Sequence, residues 1–256
     1  MTFLHGFPTS SFDFAAVVAQ VTGRRRTLCL DLVGFGESDR PLEHLYSIEE
    51  QADAVEAVWA VHRVTETDLV ANDYGDSVAQ ELLWRRRAGR GTAAIRSVVL
   101  ANGGIYPDLH RPVPTQLALL DAEQGPALSA AIDESLMAAV LEPTFAPAHV
   151  PDAAAMRTIW RVLERGGGPR NLHLLIHYID DRRRREADWV GALEDLDVPL
   201  GFAWGMLDPI SGAHIAERIV ERFPTATRRL LDGVGHWPPL EAPDEVVAVI
   251  REVAGA

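Results

Sequence analysis

Short apolar runs that alternate with longer stretches of helical periodicity constrain the fold of this chain most strongly. Such runs lie at residues 26–36, 69–71, 97–101, 200–204 and 228–231. Strands joined by crossover helices are covered on both faces, so they are apolar throughout and do not alternate with polar residues. The pattern therefore predicts an α/β fold whose sheet is mostly parallel.

The intervening stretches carry signals for helices. Ser47 precedes Glu50 by three residues, a spacing that is typical of a capping box at a helix N-terminus. A second helix is predicted over residues 77–87, and a third follows Pro243. Each helix lies between two apolar runs or after the last one, as crossover helices would.

The middle of the chain differs from both ends. Residues 105–195 contain no convincing strand, and the helical stretches 116–120 and 156–163 are separated by breaks rich in Pro and Gly, most clearly at 166–169. We interpret this part as a helical cap inserted into an α/β core. The core is then formed by residues 1–104 and 196–256.

Composition and charge exclude several classes of protein. The 256 residues include a single cysteine, Cys29, so an internal disulfide framework and a metal site with several cysteines are excluded. The basic residues are all Arg, which excludes Schiff-base chemistry and a P-loop lysine. The net charge of −13 argues against nucleic-acid binding. No secretory leader or long apolar run is evident, so we expect a soluble cytoplasmic protein with no membrane contact.

Three arginine runs and one histidine pair need an interpretation. The arginine runs lie at residues 24–26, 85–87 and 182–185, close to acidic residues, and we expect them to be solvated helix ends and faces. His173 and His177 share the spacing of two metal ligands on a helix. No third ligand accompanies them, so a packed or solvated helix face is the expected outcome and no metal is predicted.

The segment at residues 68–81 carries the clearest chemical signal. A strand is followed by Asp73, with the small residues Ala71 and Gly75 two positions to either side, and then by a helix. This is the layout of a nucleophile elbow, a strained strand-to-helix turn, with Asp at the nucleophile position. Asp73 as an ordinary helix N-cap is the alternative. Ser77 also fits the frame, but it lies about one turn beyond the end of the strand.

Two later residues support the interpretation of residues 68–81 as a nucleophile elbow. Asp208 follows the fourth apolar run, and His236 lies in a loop bounded by Gly and Pro. Nucleophile, acid and His then occur in the chain order of a catalytic triad at strand ends. The backbone N–H groups of Phe7 and Tyr74 are the candidates for an oxyanion hole.

A set of motifs spread over nearly the whole chain is shared with one known family. These are HGFP at 5–8, DLVGFGESDRP at 31–41, NDYG at 72–75, Asp208, and the pair Gly235 and His236. Together they resemble the α/β-hydrolase fold and, within it, the branch with an aspartate nucleophile, which includes epoxide hydrolases and haloalkane dehalogenases. Residues 73–83, 102–107 and 177–183 are similar to the mesoderm-specific transcript group of that branch.

The resemblance implies a mechanism in two steps. Asp73 attacks an electrophilic carbon and forms an alkyl-enzyme ester. His236, oriented by Asp208, activates the water that hydrolyses the ester, while the N–H groups of Phe7 and Tyr74 hold the oxyanion. A small-molecule substrate and no cofactor are implied, and we expect a monomer or a homodimer.

The substrate class depends on the groups that assist the leaving atom. Phe7 and Tyr74 occupy positions where the resemblance to dehalogenases leads us to expect halide donors, so the halide clamp is weakened. Epoxide hydrolases use cap tyrosines as the acid, and Tyr106 and Tyr178 are the candidates here. Trp237 could pack on the substrate. The sequence therefore favours an epoxide hydrolase acting on a small apolar epoxide.

Three alternatives stay open at this point. A haloalkane dehalogenase ranks second, and an esterase would need Ser77 at the tip of the elbow. A non-catalytic ligand-binding protein is the third. It is suggested by Asn72, which stands where the family commonly has His, and by a start only four residues before His5. That start leads us to expect that two N-terminal edge strands are missing.

Overall fold

The computed structural model describes residues 1–23, 25–165 and 167–255. In these ranges the strands form one sheet of six, in the order β2-β1-β3-β4-β5-β6, and every neighbouring pair is parallel. The strands are β1 (Thr2–Leu4), β2 (Leu28–Cys29), β3 (Glu66–Asn72), β4 (Ala94–Ala101), β5 (Leu200–Gly205) and β6 (Thr227–Leu231). The prediction of an α/β fold with a parallel sheet is confirmed.

Helices cover both faces of this sheet and fill the interval between β4 and β5. They are α1 (Ala15–Val21), α2 (Ile48–Val61), α3 (Tyr74–Arg87), α4 (Pro114–Leu120), α5 (Gln124–Ala131), α6 (Glu134–Leu141), α7 (Ala153–Glu164), α8 (Leu172–Leu175), α9 (Tyr178–Arg184), α10 (Glu186–Glu194), α11 (Ala213–Arg222), α12 (Pro238–Glu241) and α13 (Pro243–Ala254). Short 3₁₀ helices span Ser11–Phe14 and Glu142–Thr144. Within the described ranges, no helix has the length and apolarity needed to cross a membrane.

The central strands are buried on both faces because alternate side chains point to opposite layers. Val70 and Val99 belong to an apolar cluster with residues of α1 and α13. Leu69 and Leu100 point the other way, into a larger cluster that includes residues of α2 and α3. The apolar runs of the sequence are explained by this double burial.

Several element boundaries differ from the prediction, and the structure gives a physical reason for two of the differences. Only Leu28–Cys29 of the run at 26–36 pairs as a strand. The chain then turns, because the Asp31 carboxylate accepts the N–H groups of Ser11 and Glu37 and Gly36 adopts a positive φ of 50°. Helix α3 begins at Tyr74, three residues before the predicted start, immediately after the turn at Asp73.

Residues 105–195, called the helical segment below, hold α4 to α10 and no strand in the part that the structure describes. The predicted helical stretches 116–120 and 156–163 lie within α4 and α7. Of the predicted break at 166–169, Gly166 lies outside the described residues. Helix α7 ends at Glu164, and Gly167 and Gly168 beyond it take positive φ values of 110° and 77°.

The arginine runs are not uniformly solvated, as the sequence had suggested. Arg24 lies outside the described residues. Arg85 is buried and bonds to Glu81, and Arg182 is 1% exposed, whereas Arg183 lies on the surface. The prediction is therefore wrong for Arg85 and Arg182, each of which is paired with acidic side chains inside the fold.

Candidate active site

Asp73 stands at the junction of β3 and α3 in a strained backbone conformation. Its φ of 49° and ψ of −104° lie in a region that non-glycine residues rarely adopt. A Cβ atom at Gly75 would lie 2.1 Å from the carbonyl oxygen of Leu4, so this position requires glycine. The side chain of Asp73 makes no capping hydrogen bond to α3. Asp73 therefore stands at the N-cap position of α3, but its side chain does not cap the helix.

The Asp73 carboxylate is buried and is held through both oxygens. The N–H of Phe7 donates to Oδ2 over 3.0 Å, and Arg182 Nη2 lies 3.3 Å from Oδ1. Among the described residues, the N–H of Tyr74 makes no hydrogen bond to this carboxylate. The structure thus brings one of the two predicted oxyanion donors, Phe7, to the nucleophile position.

His5 holds the loop that carries Phe7. Its Nε2 accepts the N–H of Leu32 over 3.0 Å, so the ring hydrogen sits on Nδ1, which lies 2.9 Å from the carbonyl oxygen of Gly6. Burial lowers the pKa of His5, which favours the neutral ring that this arrangement needs. The HGFP motif thereby fixes the donor at Phe7.

The imidazole of His236 lies between two carboxylates. Nδ1 is 2.8 Å from Asp208 Oδ2, and Nε2 is 3.7 Å from Asp73 Oδ2. The N–H of His236 donates to the carbonyl oxygen of Thr144, which belongs to the helical segment. The three residues predicted as a triad therefore meet at the carboxyl ends of the strands, as the chain order had suggested.

Asn102 fixes the acid member of this group and was not assigned a role from the sequence. Its Nδ2 donates to Asp208 Oδ2 and to the carbonyl oxygen of Gly205, each over 2.9 Å. Its Oδ1 accepts the N–H of Gly205 over 2.7 Å. The position has a φ of 46°, a conformation that Asn tolerates better than most residues. An Asn directly after an apolar strand was the only signal in the sequence.

Charge within this buried group shifts the pKa values of its members. Burial alone would raise the pKa of Asp73, but His236, the Arg182 charge and the Phe7 N–H together lower it well below its usual range. Burial alone would lower the pKa of His236, but Asp208 and Asp73 raise it to about 10. In the resting protein at neutral pH, Asp73 is therefore ionised and His236 is an imidazolium.

Arg182 was missed as a site residue. It projects from α9 into the core, where its guanidinium carbon lies 4.5 Å from the centre of the Tyr178 ring. Its Nε donates to Ser77 Oγ over 2.7 Å, so this fully buried hydroxyl is occupied inside α3. The i, i+4 spacing of Tyr178 and Arg182 could have indicated a shared face.

A small cavity lies beside the nucleophile position. It leaves about 40 Å³ for water-sized groups, which is space for about three waters. Its lining is mostly apolar and includes Phe7, Pro8, Val113, Thr115, Gln116, Leu119, Ile132, Met137, Val140, Leu141, Thr144, Leu172, Ile210, His236 and Trp237. Most of these residues belong to the helical segment, so that segment sets the size of the cavity.

The three aromatic candidates take different places. Tyr178 packs on Phe7 and Tyr74, with ring centres 5.7 and 5.0 Å apart, and its hydroxyl accepts a hydrogen bond from Gln116 over 3.2 Å. Trp237 lines the cavity. Tyr106 is not brought to the site, because its hydroxyl lies 2.9 Å from a carboxylate oxygen of Glu194.

Among the described residues, no group of three or more His, Cys, Asp or Glu side chains is placed to hold a metal ion. His177 of the histidine pair instead bonds to Asp180 over 2.8 Å. The site offers an ionised carboxylate, an imidazole and a tyrosine hydroxyl, of which only the His236 imidazole is among the described residues that line the apolar cavity.

Comparison with known proteins agrees with this architecture. Residues 3–249 match the alpha/beta hydrolase family. LipZ of Mycobacterium tuberculosis is 39% identical over 244 residues, which cover 95% of this chain and 84% of LipZ. The mesoderm-specific transcript protein of Mus musculus is 38% identical over 247 residues, which cover 94% of this chain and 74% of that protein.

Solved structures show the same fold at lower sequence identity. The haloalkane dehalogenase DbeA from Bradyrhizobium elkani superimposes with a TM-score of 0.81 at 19% identity, covering 99% of this chain and 89% of that one. The epoxide hydrolase CorEH gives a TM-score of 0.77 at 16% identity, covering 99% and 90%. With the family match over nearly the whole length, these findings show that the chain belongs to the alpha/beta hydrolase family.

Proposed function

We propose that this protein hydrolyses a small apolar epoxide through an ester formed on Asp73. The observation that carries the proposal is the placement of an ionised Asp73 at the strained junction of β3 and α3, beside both the Phe7 N–H and the His236 ring. A carboxylate in that place can act as a nucleophile, and the imidazole next to it can act as a base once the ester has formed. The helical segment acts as a cap that excludes bulk water.

In the first step, an oxygen of Asp73 attacks one epoxide carbon, and the bond from that carbon to the epoxide oxygen breaks. The hydroxyl of Tyr178 donates its hydrogen to the released alkoxide. This hydroxyl accepts from Gln116 and has no acceptor for its own hydrogen among the described residues. Burial and the negative charge of Asp73 raise the pKa of Tyr178, so it is protonated at neutral pH.

In the second step, the proton of the His236 imidazolium passes to the Tyr178 phenolate, and the neutral ring then removes a proton from water, which attacks the carbonyl carbon of the ester. Ester formation has removed the negative charge of Asp73, which is one of the two charges that raise the pKa of His236. The ring therefore becomes a competent base only after the first step. Collapse of the tetrahedral intermediate restores the Asp73 carboxylate and releases a vicinal diol, whose alkoxide takes the second proton of the water while His236 keeps the first, so one water is consumed for each epoxide.

The donors around the cavity favour an epoxide over a haloalkane. A leaving halide needs N–H donors, and the indole N–H of Trp237 is committed to Thr144 Oγ1 over 2.7 Å. One of the two amide N–H groups of Gln116 is committed to Tyr178. A leaving alkoxide, in contrast, needs a proton, which Tyr178 can supply.

The site also favours this reaction over an esterase or a non-catalytic module. The Ser77 hydroxyl accepts a hydrogen bond from Arg182 and lies inside α3, one helical turn beyond the strained turn at Asp73. A protein that only binds a ligand would not need a strained Asp beside a paired His and Asp, because such strain costs about 1–3 kcal/mol.

The test is a panel of small epoxides, chloroalkanes, bromoalkanes and aryl esters, assayed with the wild type and with Asp73→Asn and His236→Gln. We expect epoxide turnover by the wild type, no turnover by either variant, and accumulation of a covalent adduct on His236→Gln, seen by intact mass and mapped to Asp73. Tyr106→Phe, which alters a hydroxyl away from the cavity, is the matched control and should retain activity. Turnover by Asp73→Asn, or halide release without epoxide opening, would contradict the proposal.

A further inference from the structure

The guanidinium of Arg182 is directed at the nucleophile residue from a distant part of the chain. Arg182 lies in the last turn of α9, 109 residues after Asp73. Its Nη2 donates to the main-chain carbonyl oxygen of Asp73 over 2.9 Å and lies 3.3 Å from Oδ1 of the same residue. Its Nε donates to Ser77, one helical turn further along α3.

The charge of Arg182 is deeply buried, and its burial has a cost that other interactions must offset. Removing a guanidinium from water is costly unless it is paired and hydrogen-bonded. Its neighbours Arg183 and Arg184 on the same helix are exposed and pair with surface carboxylates. The planar guanidinium of arginine can donate hydrogen bonds to a carbonyl, a carboxylate and a hydroxyl at the same time. A lysine ammonium cannot do this in the same geometry.

Arg182 restrains both the backbone and the carboxylate of Asp73. The residue has a strained backbone, and its carboxylate can rotate about the side-chain bonds. Phe7 fixes Oδ2, and Arg182 fixes both the carbonyl group and Oδ1. A carboxylate oxygen has two lone-pair directions, so one bond from Arg182 leaves a second direction free for attack on carbon.

Space around the guanidinium is closely filled. A Cβ atom at Gly104 would lie 2.6 Å from Arg182 Nη1, so a side chain at this position would displace the guanidinium. The ring of Tyr178 covers the guanidinium on another side. The packing therefore allows little movement of the group that holds Asp73.

We propose that Arg182 is a positioning residue that fixes the orientation of the Asp73 carboxylate and so ties the nucleophile to helix α9. This inference rests on the proposed function, because it assumes that Asp73 forms the ester. Arg182 itself forms no bond to substrate. Its removal should therefore slow ester formation and leave substrate binding nearly unchanged.

The experiment measures the rate of adduct formation by intact mass in a His236→Gln background, where the ester accumulates. Arg182→Met should slow the reaction about 100-fold at saturating epoxide, with the half-saturating concentration unchanged within about twofold. Arg182→Lys should recover part of the rate. Arg183→Met, which changes an exposed arginine on the same helix, is the matched control and should leave the rate unchanged.

A second variant protects the test against misfolding. Gly104→Ala keeps the charge of Arg182 but displaces its guanidinium, and it should also slow the reaction without changing half-saturation. Millimolar methylguanidinium added to Arg182→Ala should restore part of the rate. Adduct formation at the unchanged rate in folded Arg182→Met would overturn this inference alone, whereas no adduct on the His236→Gln parent would overturn the proposed function and this inference together.

Discussion

The Nε2 atom of His236 lies 3.7 Å from Oδ2 of Asp73. That separation is too long for a hydrogen bond but short enough for a strong interaction between charges in a buried site. The protonation of the ring is therefore coupled to the charge on the carboxylate. This coupling links the two proposed chemical steps. Loss of the Asp73 charge in the first step lowers the pKa of His236, so that the ring can act as the base in the second step.

The pKa of His236 should fall when the charge of Asp73 is removed. In the wild type, two carboxylates raise this pKa to about 10. Asp73→Asn leaves Asp208 as the only one of the two, and an imidazolium with fewer negative neighbours loses its proton at lower pH. Titration of the ring by NMR measures the shift. Asp180→Asn, on the surface of α9, is the control, and an unchanged pKa in Asp73→Asn would contradict the coupling.

Tyr178→Phe should affect epoxides and not haloalkanes. Loss of the hydroxyl removes the proton donor for the alkoxide, so ester formation from an epoxide should slow by about 100-fold. Alkylation by a bromoalkane needs no proton. The rate of this reaction should therefore be the same with Tyr178→Phe as with the wild-type tyrosine. The measurement is adduct formation in the His236→Gln background. If Tyr106→Phe produced the same loss as Tyr178→Phe, the assignment of the acid would be wrong.

Asn102→Ala should destabilise the protein and reduce turnover. The variant loses three side-chain hydrogen bonds, to Asp208 and to both backbone groups of Gly205, at a net cost of about 1 kcal/mol each. We expect the free energy of unfolding in urea to fall by about 3 kcal/mol. Turnover should fall in parallel, because Asp208 is no longer oriented toward His236.

Asn102→Asp is the informative companion to that variant. It keeps the shape but replaces a donor to Asp208 with a second negative charge. If Asn102→Asp were as active and as stable as the wild type, the hydrogen bond to Asp208 would have no role.

Gly75→Ala should be strongly destabilising. The added Cβ would lie 2.1 Å from the carbonyl oxygen of Leu4, which is backbone and cannot rotate away. We expect a loss of about 3 kcal/mol in urea denaturation, at the upper end of the range for overpacking. Gly233→Ala is the matched control, because nothing lies within 4 Å of the Cβ position there. Equal stability of the two variants would show that the elbow can relax.

The parts of the site that follow from local chain geometry could be predicted from the sequence. Asp73, Asp208 and His236 each follow a strand or lie in a loop with marked Gly and Pro content, and parallel strands bring such loops to one edge of the sheet. The same reasoning gave the parallel sheet. It failed at residues 26–36, where the Asp31 carboxylate holds a loop through hydrogen bonds that no periodicity reveals.

The parts that depend on contacts between distant segments could not be predicted in this way. Arg182 lies in a run of four arginines that is typical of a solvated face, and its burial results from the packing of α9 against α3. In the sequence, Asn102 is only a polar residue that follows a strand. Its role becomes visible when the fold places Asp208 and Gly205 next to it. Tyr106 and Tyr178 were equal candidates until packing turned one hydroxyl toward Glu194 and the other toward Gln116.

Different helices of the helical segment carry the polar residues near Asp73 and the wall of the cavity. Tyr178 and Arg182 lie on α9, whereas much of the cavity wall comes from α4 and α6. Substitutions at Leu119 or Met137 can thus reshape the space for a compound without moving Tyr178 or the Arg182 guanidinium. Variation in the range of accepted molecules is therefore compatible with unchanged chemistry, and libraries that aim to broaden that range belong on α4 and α6.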